Sequence, residues 1–297
     1  MSGQSRLKLK TALGSSAWRA GLMEAQPDAK FELAFVDVEP IHRAFAPMAR
    51  EQKFDVSEMA IVTALQALAY GKPLLLLPAV IAARFQQRCI ITRKSTPLRP
   101  EELTGKRIGV RAYTQTTGMW IRGILQNDYG VRTESVHWMT QEGAHLAEYN
   151  DPEWVERVPP DRSLPDMLRR GEIDAAILGN DLPDDPDFVA VIPDPDAAAR
   201  AWYAKHAVIP INHMLMVRRD IAVANKVAIR ELWQAVRRAR PAVANGPGMT
   251  PVGIKANRHA LETVLLYCEQ QKLLPRPMRV DDLFAETIDV LGETLED

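Results

Sequence analysis

Leu7 to Leu13 alternates polar and apolar residues, the pattern of an opening strand, and Gly14-Ser15-Ser16 supplies a turn at its end. A second strand is predicted at Phe31 to Val38. Ile41, Phe45 and Met48 recur at helical spacing across 41–51, and Phe54-Asp-Val-Ser-Glu-Met59 reads as a short strand with a polar end. A helix follows through Ile61, Ala64, Leu65 and Leu68. Strand material returns at Leu74 to Leu77, Ala79 to Ala83 and Cys89 to Thr92, with Pro78 separating the first two. After the proline-bearing connector Thr96-Pro-Leu-Arg-Pro-Glu-Glu the alternation resumes. A strand is predicted at Ile108 to Val110, a helix at Met119 to Asn127, a strand near Ser135 to Trp138, a helix at Leu164 to Arg170 and a buried strand closing Gly171 to Leu178. Asp181 to Asp196, rich in aspartate and proline, reads as an acidic surface loop. His206 to Arg218 is apolar and extended, and Ile229 to Ala239 and Leu261 to Gln270 are amphipathic helices around the loop Asn245-Gly-Pro-Gly-Met-Thr-Pro-Val-Gly.

Strands alternating with helices predict an α/β fold whose parallel or mixed sheets carry helices on their faces. Ligands of such sheets bind at the carboxyl ends of strands. The polar residues ending the strands here are Ser15 and Ser16, then Ser57 and Glu58, then Tyr113 and Thr114, which predicts a convergent cleft. The stretch Gly105-Lys-Arg-Ile-Gly-Val-Arg-Ala-Tyr-Thr-Gln-Thr-Thr-Gly118 adds to this, because it runs strand, polar turn, helix. Unbonded backbone N–H groups of the first helical turn, with the hydroxyls of Thr114, Thr116 and Thr117, form a site for a carboxylate or phosphate. The same residues equally suit an ordinary capped helix.

With 297 residues the chain exceeds what one core ordinarily holds, and two lobes are expected. The connector at 96–102 marks the outward crossing and 206–218 the return, giving a discontinuous lobe I of 1–95 and 213–297 and a lobe II of 96–212. Charge narrows the partners. The 37 basic and 38 acidic residues balance to −1, so neither nucleic acid nor an anionic membrane is expected, and a small-molecule ligand is. A homo-oligomer is compatible with this composition. Cys89 and Cys268 sit in apolar surroundings far apart and read as buried free thiols. No apolar run of ~7–15 residues follows the charged N-terminus, which predicts a cytoplasmic protein. Leu74 to Ala83 is too short to span a bilayer.

The sequence contains no His-x-x-x-His or His-Glu-x-x-His spacing, no paired cysteines, no Gly-x-Ser-x-Gly, and neither glycine-rich nucleotide motif, so no metal and no cofactor is expected. Phe54 to Met59, Gly105 to Val110 with Trp120-Ile-Arg-Gly-Ile-Leu125, Gly171-Glu-Ile-Asp-Ala175 and Ile209-Pro-Ile-Asn-His213 follow one another in the order of landmarks of a known family. Nearly the whole chain resembles the 4,5-dihydroxyphthalate decarboxylase family, and hence the two-lobed type II periplasmic-binding-protein fold with two interlobe crossings. The resemblance has departures. Arg111-Ala112-Tyr113 stands where the family usually carries Pro-Glu-Tyr, Ala82-Ala-Arg-Phe-Gln-Gln87 where it carries Ser-Arg-(x)-Phe-Arg-His, and Gly14-Ser15-Ser16 where it carries Gly-Asp-Tyr. Altered substrate recognition is the expectation.

The resemblance implies loss of CO₂ from a small, hydroxylated aromatic carboxylate in the cleft between the lobes. A hydroxyl para to the departing carboxylate feeds electrons into the ring, so the protein supplies an acid, a base and an anion cradle. His213, at the family's Pro-Ile-Met-His position, is the candidate proton donor. Glu58 is the candidate base or orienting carboxylate. Ser16, Ser57, Thr114, Thr116, Thr117 and Asn180 are candidate hydrogen-bonding groups, Arg84 and Arg111 candidate carboxylate clamps, Tyr113 a further substrate contact, and Trp120 a candidate stacking surface. The competing expectation is a non-catalytic solute-binding protein or cytosolic sensor for a small organic anion.

Overall fold

In the computed structural model, residues 6–25, 29–159, 161–179, 181–242, 247–292 and 295 are described. In chain order the elements are β1 (Leu7–Ala12), α1 (Ser16–Glu24), β2 (Phe31–Phe35), α2 (Phe45–Glu51), β3 (Val56–Ala60), α3 (Ile61–Ala69), β4 (Leu74–Ala83), β5 (Ile90–Arg93) and β6 (Arg107–Ala112). They continue as α4 (Thr116–Tyr129), β7 (His137–Glu142), β8 (Val155–Arg157), α5 (Leu164–Arg170), β9 (Ala175–Ile177), β10 (Phe188–Ala190) and α6 (Pro195–His206). The last are β11 (Ile211–Arg218), α7 (Arg219–Ala224), α8 (Lys226–Arg238), α9 (Ile254–Gln270) and α10 (Val280–Leu291). The chain divides into a first unit of Met1–Arg84, Ile211–Glu262 and Arg276–Asp297 and a second of Phe85–Pro210 and Thr263–Pro275. The first boundary thus falls ahead of β5 and not in the proline-bearing connector, because β5 pairs antiparallel with β9 and β10 of the second unit. The second unit also claims 263–275, a stretch that the sequence pattern assigns to lobe I.

The first unit holds a five-stranded sheet in the order β2-β1-β3-β11-β4. β1 runs parallel to β2 and β3, and the returning β11 inserts antiparallel between β3 and β4. β3 reads buried at every position, as expected for a central strand covered on both faces. Pro78, expected to split β4, lies inside it. β4 is an edge strand, where a missing N–H leaves no ladder bond unmade. The fully buried Asn257 closes that edge, its Nδ2 donating to the carbonyls of Pro78, Pro251 and Gly253.

The second unit holds a six-stranded sheet in the order β10-β5-β9-β6-β7-β8. Its parallel portion, β9, β6, β7 and β8, carries α4 and α5 as crossover helices. The expected acidic loop 181–196 is in fact interrupted by β10 and runs into α6, whose start is fixed by Asp194 accepting from the Ala197 N–H with Pro195 at the first helical position. His206 therefore ends a helix and is no part of an extended return. Its Nε2 lies 2.8 Å from Asp128, which also accepts from Lys205 and Trp202. Gly123 permits one close approach, since a Cβ there would sit 1.9 Å from the Tyr267 ring. Cys89 and Cys268 are both free and buried, and burial pushes the Cys268 thiol up to about 12. Among the described residues no helix is long and apolar enough to cross a membrane.

Candidate functional site

In the first unit, strand register decides which polar residues meet. His213 on β11 pairs with Ala60, and Leu215 pairs with Glu58, so His213 and Glu58 are diagonal neighbours on one face of the sheet. His213 Nδ1 lies 2.6 Å from Glu58 Oε1. The other carboxylate oxygen accepts the Gly14 N–H at 2.8 Å, from the turn that ends β1. Glu58 is only 3% exposed, so both of its oxygens are committed in a desolvated setting where a hydrogen bond to a charged group is strong. The Phe45 ring packs edge-on against the imidazole, with centroids 5.0 Å apart. His213 remains partly exposed, with 22% of its side chain accessible. A carboxylate on Nδ1 fixes the tautomer and leaves Nε2 outside that contact, as in the orienting carboxylate of a catalytic triad. Glu58 is thus placed to position His213 rather than to take a proton from a ligand.

Ser57 is not part of this group. Side chains alternate along a strand, so Ser57 faces the opposite side from Glu58; it is fully buried and its hydroxyl donates to the Glu58 carbonyl at 2.9 Å. Ser16 is the first residue of α1, which Ser15 caps by accepting from the Trp18 N–H; the Ser16 side chain lies outside the described residues, as does Asn180. Arg84 follows β4 as the last residue of that segment of the first unit.

The second unit carries a different arrangement at the start of α4. Gln115 occupies the cap position without a side-chain capping bond, and no acidic residue stands in the first turn. Thr114, Thr116 and Thr117 are buried here. Among the described residues the buried atoms Thr116 Oγ1, Gln115 Oε1 and Arg111 Nε have no hydrogen-bond partner. Arg111 Nε does stand 3.6 Å from Glu142 Oε2, across the β6–β7 pair, in a partly exposed ion pair.

Beneath the helix start lies Arg122, a residue that sequence reasoning did not single out. It is buried, its Nε donates to Gln271 Oε1 at 2.7 Å and its Nη2 to the Tyr113 carbonyl at 2.5 Å, and its guanidinium stacks over the Tyr113 ring at 4.1 Å. Gly118 makes room for it, since a Cβ there would meet Arg122 Nη1 at 2.9 Å. Desolvation lowers the guanidinium below its ordinary pKa, while the group still adds positive potential under the α4 N-terminus. An arginine on an otherwise apolar helix face was the signal available in the sequence.

Tyr113 and Trp120, expected at the ligand, belong instead to this support. Tyr113 is 1% exposed, its hydroxyl donates to the Gln271 carbonyl at 3.0 Å and accepts from Trp154 Nε1 at 3.1 Å, and burial pushes the phenol up. Trp120 is fully buried and packs edge-on against Trp202 and Tyr267. An aromatic at helical spacing with Ile124 serves the core first. Of the expected strand ends, Ser15 and Ser16 follow β1 and Tyr113 and Thr114 follow β6 of the second sheet, whereas Ser57 and Glu58 lie inside β3, which runs on to Ala60. Among the described residues no group of three His, Cys, Asp or Glu is arranged to hold a metal ion.

A buried carboxylate–imidazole pair on β3 and β11 is the context against which relatives can be weighed. The chain is 28% identical over 193 residues to a 4,5-dihydroxyphthalate decarboxylase of Comamonas testosteroni, covering 58% of this chain and 56% of that one. It is 27% identical over 168 residues to a 4,5-dihydroxyphthalate decarboxylase of Pseudomonas putida, covering 52% and 65%. The chain is similar to the 4,5-dihydroxyphthalate decarboxylases. The matched stretches span between half and two-thirds of those relatives. No family model matches the chain. Among solved structures, the ligand-binding component of an ABC-type import system from Staphylococcus aureus aligns at TM-score 0.55 and 12% identity over 99% of this chain and all of that one. The periplasmic sulfonate-binding protein SsuA from Methylobacillus flagellatus aligns at 0.54 and 11% over 97% and 94%, and a DszB variant in complex with biphenyl-2-sulfinic acid at 0.55 and 14% over 97% and 99%. The fold is that of the periplasmic binding proteins, and at these identities the structural likeness speaks for fold alone.

Proposed function

We propose that the protein is a carboxy-lyase acting on a small hydroxylated aromatic carboxylate, 4,5-dihydroxyphthalate or a close relative, with His213 as proton donor and Glu58 as the residue that positions it. The observation carrying this reading is the His213–Glu58–Gly14 chain of contacts, which holds Nδ1 of a partly exposed imidazole and leaves Nε2 outside that pairing. Similarity to the decarboxylases supports the substrate class. In the reaction, protonated His213 delivers its Nε2 proton to the ring carbon bearing the carboxylate, while the para hydroxyl, releasing its proton to solvent, supplies the electron pair that makes this carbon basic. The ring becomes a cyclohexadienone. The carbon–carboxylate bond then breaks, its electrons restore the aromatic ring and the phenolic oxygen, CO₂ departs, and the phenolate regains a proton. One proton is consumed for each CO₂ released. The para hydroxyl takes the place of an external electron sink, so the scheme calls on no organic cofactor.

Within the second unit, the α4 N-terminus with Thr116, Arg111 and the buried charge of Arg122 is proposed as a site for a carboxylate, since N–H groups of the first helical turn and cations are fixed there before any ligand arrives. The test is incubation of the purified protein with 4,5-dihydroxyphthalate, reading both CO₂ and 3,4-dihydroxybenzoate. Equimolar release at a rate proportional to protein is the expected result. Saturable binding without CO₂ overturns it and makes the protein a binder or sensor for an organic anion.

A further inference from the structure

The segment that opens the second unit contains a buried side chain whose polar atoms are unmatched among the described residues. Gln87 lies in a short 3₁₀ turn, Gln87–Cys89, immediately before β5, and is 2% exposed. Neither Nε2 nor Oε1 has a hydrogen-bond partner among the described residues. Leaving a buried amide unmatched is costly, and folded proteins rarely do so without a functional reason. The neighbours of Gln87 are anchored. Phe85 packs edge-on against Tyr203, Arg88 pairs with Asp196 at 2.5 Å, and the Cys89 N–H bonds to the Gln86 carbonyl at 2.8 Å, so the turn is held along α6 by the residues on either side.

Register places this turn beside the α4 N-terminus. Ile90 pairs with Ile177 on one side and Val110 pairs with Ile177 on the other, so the start of β5 and the end of β6 share one row of the sheet. β5 is antiparallel to β9 and β6 is parallel to it; hence Gln87, ahead of Ile90, and Gln115 and Thr116, beyond Val110, leave the sheet at the same end. The two strands are separated by β9, a spacing of roughly 10 Å. That spacing suits a single aromatic ring with polar groups on both edges.

The chemistry of a carboxamide selects the group it meets. It offers donors on Nε2 and acceptors on Oε1. A carboxylate brings acceptors only and leaves Oε1 unmatched; an ammonium brings donors only and leaves Nε2 unmatched. A vicinal hydroxyl pair matches both, one O–H donating to Oε1 and the neighbouring oxygen accepting from Nε2. We propose that Gln87 is a specificity-determining residue that recognises the hydroxyl edge of a catechol-type ring, opposite the anion-binding start of α4. This assignment rests on the decarboxylase reading for the identity of the ring and on Gln87 itself for the hydroxyl contact.

The experiment compares wild type with Gln87→Met, which keeps length and volume and removes both polar atoms, and with Gln87→Leu should the first variant fail to fold. Calorimetric titration uses 4,5-dihydroxyphthalate, phthalate and catechol as probes, with thermal unfolding of the unliganded proteins alongside. Wild type is expected to bind 4,5-dihydroxyphthalate about tenfold or more tightly than phthalate. Gln87→Met is expected to abolish that preference and weaken catechol binding, to leave phthalate affinity unchanged, and to keep or raise the unfolding temperature. A variant that retains the hydroxyl preference overturns the assignment, as does one that loses phthalate affinity and thermal stability together, which would make the amide structural. The two readings fail differently. Catechol binding that depends on Gln87 in a protein that releases no CO₂ removes the decarboxylase and keeps the assignment; equal kcat/KM for 4,5-dihydroxyphthalate in both proteins keeps the decarboxylase and removes the assignment.

Discussion

The polar groups of the first unit's candidate site and those of the second differ in how far their hydrogen bonds are already made. Glu58 has spent both oxygens, one on His213 and one on the Gly14 N–H, and the Phe45 ring braces the imidazole. At the start of α4, by contrast, Thr116 Oγ1, Gln115 Oε1 and Arg111 Nε are buried without a hydrogen bond among the described residues, and Gln87 in the same unit shares that condition. A completed network fixes one group in one geometry, which suits proton transfer. An incomplete one is a standing cost to the fold that a ligand can relieve, which suits binding. The first arrangement suits the proposed proton transfer and the second the proposed anion binding, and substitutions in each unit test the two tasks separately.

The sharpest break in that comparison is at His213. His213→Gln keeps a polar side chain of similar reach but cannot carry a proton at neutral pH, and kcat for CO₂ release should fall by ~10²–10⁴-fold. Affinity for 4,5-dihydroxyphthalate, read by calorimetry on the same preparation, should stay within about twofold, since the proposed role of His213 is in the chemical step and not in ground-state binding. Glu58→Gln should lower kcat less, because the imidazole persists and loses only its orienting carboxylate. If His213→Gln abolishes binding and turnover together, the division of labour is wrong and the imidazole is a ligand contact.

How far this division is legible in the sequence depends on the element. Pattern alone locates β1, β2, β3, β6, α3, α5 and the polar end of β1, because apolar period and turn residues agree there, but Ser57 and Glu58, expected to end β3, lie inside it. It misses α6 despite Asp194 and Pro195 at its start, because a run dominated by alanine buries only Ala199 and Trp202 and has little apolar contrast to read. α10 lies outside the pattern-based expectations although Val280, Leu283, Phe284, Thr287 and Leu291 keep a helical period. For the site, residue type marks His213 and Glu58, but only the register of β3 with β11 makes them neighbours, and only strand alternation removes Ser57 from their company. Tyr113 and Arg122 show the opposite limit. A tyrosine in a polar turn looks like a ligand contact and an arginine in a helix like surface, yet the fold buries both against Gln271, far away in sequence.

Tyr113 gives the intermediate effect. Removing its hydroxyl strands the buried Gln271 carbonyl and the partly buried Trp154 Nε1, both of which it now satisfies. Tyr113→Phe should cost about 1–3 kcal/mol of stability, visible as a fall of a few degrees in the unfolding temperature. Saturated turnover should be unchanged, because the hydroxyl is consumed within the protein and burial keeps the phenol protonated. A loss of kcat at unchanged stability would return Tyr113 to the ligand.

The smallest effect, and the most discriminating, is at Thr116. Its hydroxyl is buried at the first residue of α4 with no hydrogen bond among the described residues, so the isosteric Thr116→Val removes a desolvated polar atom and replaces it with a methyl group. For a structural hydroxyl this exchange destabilises, since a bond is lost. For one reserved for a ligand it is neutral or stabilising by about 0.5–1 kcal/mol in the free protein, and it weakens carboxylate binding by a few-fold to tenfold. Phthalate is the right probe, because it presents the carboxylate edge alone. A higher unfolding temperature with a weaker phthalate Kd would show that the second unit pays in stability for a group it needs only when occupied; a lower unfolding temperature with unchanged Kd would place the missing partner inside the protein and leave the anion site to the backbone of α4.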